Sequence, residues 1–197
     1  MPAESDQSLK RAVAIVGGLN LSYFFIEFAV AVAIGSVALF ADSVDFLEDA
    51  SVNLLILIGL GWSLRARAKL GMILAFILLV PALATLWTAW QNFAVAHVPQ
   101  PVPMTLAGLG ALAVNFTCAT ILAKFRSHGG SLTRAAFLSA RNDVLANIAI
   151  IAAAGVTVAT ASHWPDLIVG LGIAAMNADA AKEVFEAARN EHNEAQI

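Results

Sequence analysis

Asp42, Asp45, Glu48 and Asp49 fall within eight positions of one another in the stretch ADSVDFLEDASVN, residues 41–53, and the residues on both sides are apolar. On a helix, Asp42, Asp45, Asp49 and Asn53 share an arc of roughly 80°, because steps of 3, 4 and 4 are the steps of a helical stripe. Glu48 borders that stripe. Further along, Ser139, Asp143 and Asn147 repeat the spacing of four, and near the start Asn20 and Glu27 lie seven apart, again on one face. Carboxylates crowded in a low dielectric repel one another, so such a set either retains protons or binds a cation. Carboxylate, hydroxyl and amide oxygens suit a divalent metal, and protons that return when the metal leaves provide a basis for exchange.

The elements that must carry these groups are membrane spans. Of 197 residues, 59% are hydrophobic and 13% charged, with a mean hydropathy of +0.78, outside the makeup of a soluble domain. No Asp, Glu, Lys or Arg occurs between Lys69 and Lys124. A run of roughly fifty residues supplies two spans of about 20. The whole chain yields six: about Ala12–Ile34, Val37–Leu64, Leu70–Ala94 (carrying Pro81), Pro103–Phe125, Leu132–Ala161 and Asp166–Asn190. The expected architecture is an all-α, polytopic six-helix bundle over 12–190, with a short N-terminal segment, 1–11, and a short tail, 191–197.

Basic residues set the expected orientation. Lys10 and Arg11 precede the first span; Arg65, Arg67 and Lys69 fill the second-to-third connection; Lys124, Arg126 and Arg134 flank the fourth-to-fifth. Lys182 and Arg189 belong to the end of the sixth, whereas the opposite loops carry no Lys or Arg. Both termini are therefore predicted to be cytoplasmic in a multi-pass cell-membrane protein, with Trp87, Trp90 and Trp164 at the outer interface and Trp62 at the inner one.

Lipid exposure of Glu27, Asp42, Asp45, Glu48, Asp49 and Asp143 would cost on the order of 15–20 kcal/mol, at about 2.5–3.5 kcal/mol per central acid. They are expected to face protein or water. Arg141 is the one basic side chain inside the bundle, and it projects away from Asp143, so pairing with Asp179 or snorkelling to the surface is the expectation for it. The start MPAESDQSLKR lacks a cleavable apolar core, and the single Cys118 excludes a disulfide framework and reads as a packing residue. No basic cluster suggests nucleic acid, and no motif calls for a cofactor or a catalytic residue. His97, His128, His163 and His192 read as solvated loop residues.

At these residues the sequence resembles the cation diffusion facilitator family of divalent-metal transporters. NLSYFFIEFAVAVAIGSVALFADS is similar to that family's first span and its G-S-x-A-L-x-A-D run, DFLED to its [H/D]-x-x-x-D metal motif, SARNDVLAN to its second motif, and WPDLIVGLGIA to its entry into the sixth span. The resemblance covers about Asn20 to Arg189. It implies a non-enzymatic exporter of Zn2+ or a related ion such as Cd2+, exchanging metal for protons by alternating access, usually as a homodimer. Carried over by position, the ligands are Asp45, Asp49 and Asp143, with Ser139 where the family usually has His or Asp. Asn20, Glu27, Asp42 and Asn147 are assigned to support behind the ligands or to a proton route.

Two departures stand out. Family members commonly continue into a cytoplasmic metal-sensing, dimerising domain, whereas this chain is expected to be a transmembrane-domain-only member, with dimer contacts left to small pairs such as Ala107 with Ala111 or Gly170 with Ala174. Without a histidine in the spans, the oxygen-rich site relaxes the preference for Zn2+ and admits Mn2+, Fe2+ or Co2+. Alternative readings of the same acids are a non-transporting membrane scaffold subunit and a proton-coupled exporter of organic cations using Glu27.

Overall fold

The computed structural model describes residues 2–59, 69, 83–125 and 130–194, with the side chains of 2–6, 59, 130–139, 177, 180, 181, 183, 184, 187, 188 and 190–194 outside the described set. Among the described residues there are six helices and no strand: α1 (Pro2–Ile34), α2 (Val37–Gly59), α3 (83–94), α4 (Pro101–Ala123), α5 (Gly130–Thr160) and α6 (Trp164–Glu194). The all-α bundle matches the expected class. Helix α1 begins ten residues before the expected first span, so the N-terminal segment continues the helix. Pro81, Trp62, Arg65, Arg67 and the first half of the expected third span lie outside the described residues.

Length and apolarity alone qualify Gln7–Ile34, Pro101–Ala123 and Ala140–Thr160 as membrane-crossing helices, with a shorter apolar stretch at Trp164–Met176. Helix α2 carries too many acids to qualify on composition. Its burial explains why it tolerates them. The bundle is apolar on the outside, where Phe25, Val32, Leu106, Phe116, Leu145, Val158 and Ile168 are exposed, and polar within, where Asn20, Glu27, Asp42, Asp49, Asn115, Asp143 and Asn147 are buried. That inversion suits hydrocarbon outside and water or ions inside.

Helix α2 lies at the centre, packed most extensively on α1, then on α6, and less on α5; α4 and α5 form a second close pair. Two apolar clusters cap the interior. One joins Ala31 and Ile34 of α1, Ala38, Leu39 and Ala41 of α2, Met104 and Ala107 of α4, and Ile150, Ala153 and Ala154 of α5. The other joins Val13 and Val16 of α1, Ile56 of α2, Cys118 and Leu122 of α4, and Ala140 of α5. On α1, α2 and α4 the buried polar residues fall in sequence between these two clusters, as do Asp143 and Asn147 on α5, so they form one layer near mid-height, with Thr157 of α5 beyond it.

The turn between α1 and α2 fixes how deep that layer sits. Gly35 adopts φ +65°, and a Cβ there would come within 2.6 Å of the His97 ring, so the position requires glycine on two counts. Ser36 then caps α2, its Oγ accepting from the Leu39 main-chain N–H at 3.1 Å. Asp166 of α6 reinforces the cap: its carboxyl accepts from Ser36 Oγ at 2.5 Å and from the main-chain N–H groups of Val37 and Ala38 at 2.8 and 3.2 Å. Gly170, one turn further along α6, allows this approach, since a Cβ there would lie 2.7 Å from the α2 backbone.

Ala107, Ala111 and Ala174 are buried within the chain, and Gly170 is pressed against α2. The small-residue pairs expected at a dimer contact therefore serve packing inside one subunit. Trp87, Trp90 and Trp164 are exposed near the end bearing the α1–α2 turn, and Phe93 contacts both Trp90 and Trp164, an interfacial aromatic belt.

Candidate metal-transport site

The polar layer is built from four helices. On α2 the helical repeat turns Asp42, Asp49 and Asn53 into the bundle, as the stripe requires, and Glu48 is buried beside them; Asp45 is half-buried. On α5, Asp143 is 7% exposed and Asn147 fully buried. Asn20 and Glu27 enter from α1, both fully buried.

Hydrogen bonds tie these groups across the helices in two short chains. In the first, Cys118 Sγ on α4 contacts Asn20 Oδ1 at 3.5 Å, and Asn20 Nδ2 donates to Asp49 Oδ2 at 3.3 Å. Asn53 Nδ2 donates at 2.7 Å to the main-chain carbonyl of Asp49. In the second, Asn115 Nδ2 on α4 donates to Asn147 Oδ1 at 3.1 Å, and Asn147 Nδ2 donates to Asp42 Oδ2 at 2.6 Å. One chain thus holds Asp49 toward α1 and α4, and the other ties Asp42 to α5.

Asp45, Asp49 and Asp143 reach the same layer, close enough to act on one another electrostatically, and Asp143 also feels Asp42 and Glu48. Among the described residues no three His, Cys, Asp or Glu side chains stand close enough together to hold one metal ion. Ser139 lies on α5 one turn before Asp143, but its side chain falls outside the described residues. Arg141 is on the surface, its guanidinium donating to Asn142 Oδ1 at 3.3 Å, instead of pairing with Asp179.

His97 is an exposed loop residue, as expected, and it also braces the neighbouring turn. Its Nε2 lies 3.0 Å from the Ile34 carbonyl, and its main-chain N–H donates to Asn92 Oδ1 at 3.3 Å, at the head of the α1–α2 turn. His163 makes a tilted ring contact with Trp164, and His128 and His192 lie outside the residues whose side chains are described. Two site-shaping residues carry little sequence signal. Asn115 is the one amide in a helix whose other polar side chains are three threonines, and Asp166 reads only as an acid in a first helical turn.

A buried carboxylate layer on α2 and α5, steadied by amides from α1, α4 and α5 and enclosed by an apolar exterior, is an oxygen-rich setting for a cation. No curated protein matches the chain. The family model for the cation efflux transmembrane domain, a domain of metal-transporting proteins, matches residues 13–189, and the chain belongs to that cation efflux family.

Proposed function

We propose that this protein exports a divalent metal ion, Zn2+ first and Cd2+ next, in exchange for protons by alternating access. It sits in the cell membrane with both termini cytoplasmic. Asp45 and Asp49 on α2 and Asp143 and Ser139 on α5 are the ligands. The observation that carries this reading is the buried layer of acids on two facing helices of a cation efflux protein, with no basic side chain paired to Asp42, Asp45 or Asp143 among the described residues.

Like charges on α2 and α5 hold those helices apart until a cation or protons neutralise them. Metal binding draws Asp143 toward Asp45 and Asp49. Proton binding at the same carboxylates releases the metal, because a ligand must be deprotonated to coordinate. The contact between α2 and α5 is less extensive than those of α1 with α2 and α4 with α5, so movement there is easier than within either pair. Two units, one built on α1 and α2 and one on α4 and α5, then rock about the site.

Reconstitution into vesicles tests this reading. Zn2+ uptake driven by an imposed pH gradient is expected for the unaltered protein and is expected to vanish in Asp49→Ala. Transport that survives loss of both Asp45 and Asp49 would reject the ligand assignment. Organic cation movement sensitive to Glu27→Gln, with no metal movement, would replace metal by organic cation as cargo.

A further inference from the structure

Glu27 is fully buried on α1, and neither of its carboxyl oxygens has a hydrogen-bond partner. Across the α1–α2 interface stands Asp42, also fully buried, whose Oδ2 is engaged by Asn147 and whose Oδ1 has no partner. The two carboxyl groups are close enough for a hydrogen bond to each other. A carboxylate only accepts, so that bond exists only if one of the two carries a proton. We infer that Glu27 and Asp42 form a proton-binding site, distinct from the metal ligands, in which a single proton is shared between the two side chains.

The surroundings leave few alternatives. From α1, Tyr23 is the ionisable neighbour, and its hydroxyl is spent on the Ala107 carbonyl of α4 at 2.6 Å. From α2, Asp45 acts on Glu27 and Asp49 acts on Asp42; from α5, the amide of Asn147 meets Asp42, and Asp143 lies within electrostatic reach. From α4 come only the Ala107 carbonyl and Asn115, which engages Asn147. Among the described residues, the charges that act on the pair, from Asp45, Asp49 and Asp143, are all negative.

Two bare carboxylates in such a place would each forfeit several kcal/mol of solvation without compensation. One shared proton removes a charge and supplies the missing bond for both groups. A divalent metal fits less well. It needs about four ligands for zinc and about six to eight oxygens for calcium, whereas three free oxygens are present and the Asn147 amide turns its N–H toward Asp42. Through Asn147 and Asn115 the pair is tied to α5 and α4, so gain or loss of its proton alters the grip between the two helical units without passing through the metal ligands.

The use of this proton in transport rests on the exchange reading above, but its binding does not. Infrared difference spectra of the full chain in lipid, recorded between acid and alkaline pH in metal-free H2O and D2O, are expected to contain the stretch of a protonated carboxylic acid that shifts on deuteration. Glu27→Gln and Asp42→Asn are each expected to abolish that band, with the double variant losing no more than either alone. Glu27→Asp, which keeps a carboxyl, is expected to retain a displaced band, and this guards against loss through misfolding. A spectrum unchanged by Glu27→Gln, or single-variant losses that add in the double variant, would overturn the shared site. Calorimetric titration with Zn2+ on the same samples separates the two claims: unaltered protein that binds no metal but keeps the band defeats the transport reading alone, and metal binding without the band defeats the proton pair alone.

Discussion

Truncating Asn115 to alanine removes the donor that holds Asn147 Oδ1 and leaves a buried amide oxygen without a partner. The expected cost is about 1–3 kcal/mol, read as a lower thermal midpoint in detergent. Thr117→Ala on the same helix removes a hydroxyl that only bonds back to the Ala113 carbonyl on an exposed face, and is expected to change stability by less than about 0.5 kcal/mol. Equal losses from the two would show that the interhelical amide chain carries no special weight. The stripes on α2 and α5 could be read from spacing alone, because each has several polar residues that declare a common face. Asn115 could not: one polar residue has no period, and its partner, Asn147, lies 32 positions away. Glu27 was legible as an intramembrane acid, but its pairing with Asp42 depends on how α1 and α2 are rotated against each other, which the stripe geometry of either helix leaves open.

At the level of helices, the start of α2 is held by a residue from a different element. Asp166→Ala removes three hydrogen bonds from the Ser36 hydroxyl and the first main-chain N–H groups of α2, at an expected cost of about 2 kcal/mol, since bonds of this kind to a buried carboxyl are worth more than an exposed cap. The damage is local. Hydrogen exchange is expected to quicken at Val37 and Ala38 while the α4–α5 pair keeps its protection, and uniform quickening across the bundle would reject this account. Gly170→Val acts on the same contact from the packing side, because a side chain there meets the α2 backbone and must push α6 away. Hydropathy was enough to locate α6, α4 and α5 within a few residues. The link from Asp166 to Ser36 spans 130 positions, and the approach of His97 to Gly35 depends on the path between α3 and α4, so neither follows from any local pattern.

The molecule as a whole is a greasy shell around a layer of acids, and its stability should therefore respond to what neutralises that layer. A metal that binds the folded chain and not the unfolded one raises its stability by about 2.7 kcal/mol at a free concentration one hundred times the dissociation constant. With the proposed ligands, protons compete for the same carboxylates, so the stabilisation by a fixed Zn2+ concentration is expected to shrink as the pH falls and to grow as it rises. Thermal unfolding with and without Zn2+ across a pH series measures this directly, and Asp49→Ala should abolish the metal-induced shift at every pH. A shift that stays constant with pH would mean that the ion is held by oxygens that do not titrate, such as main-chain carbonyls or amides. Proton exchange would then have to run through carboxyl groups the metal does not touch, and the coupling between the two fluxes would rest on the movement of α2 against α5 instead of on competition for one set of ligands.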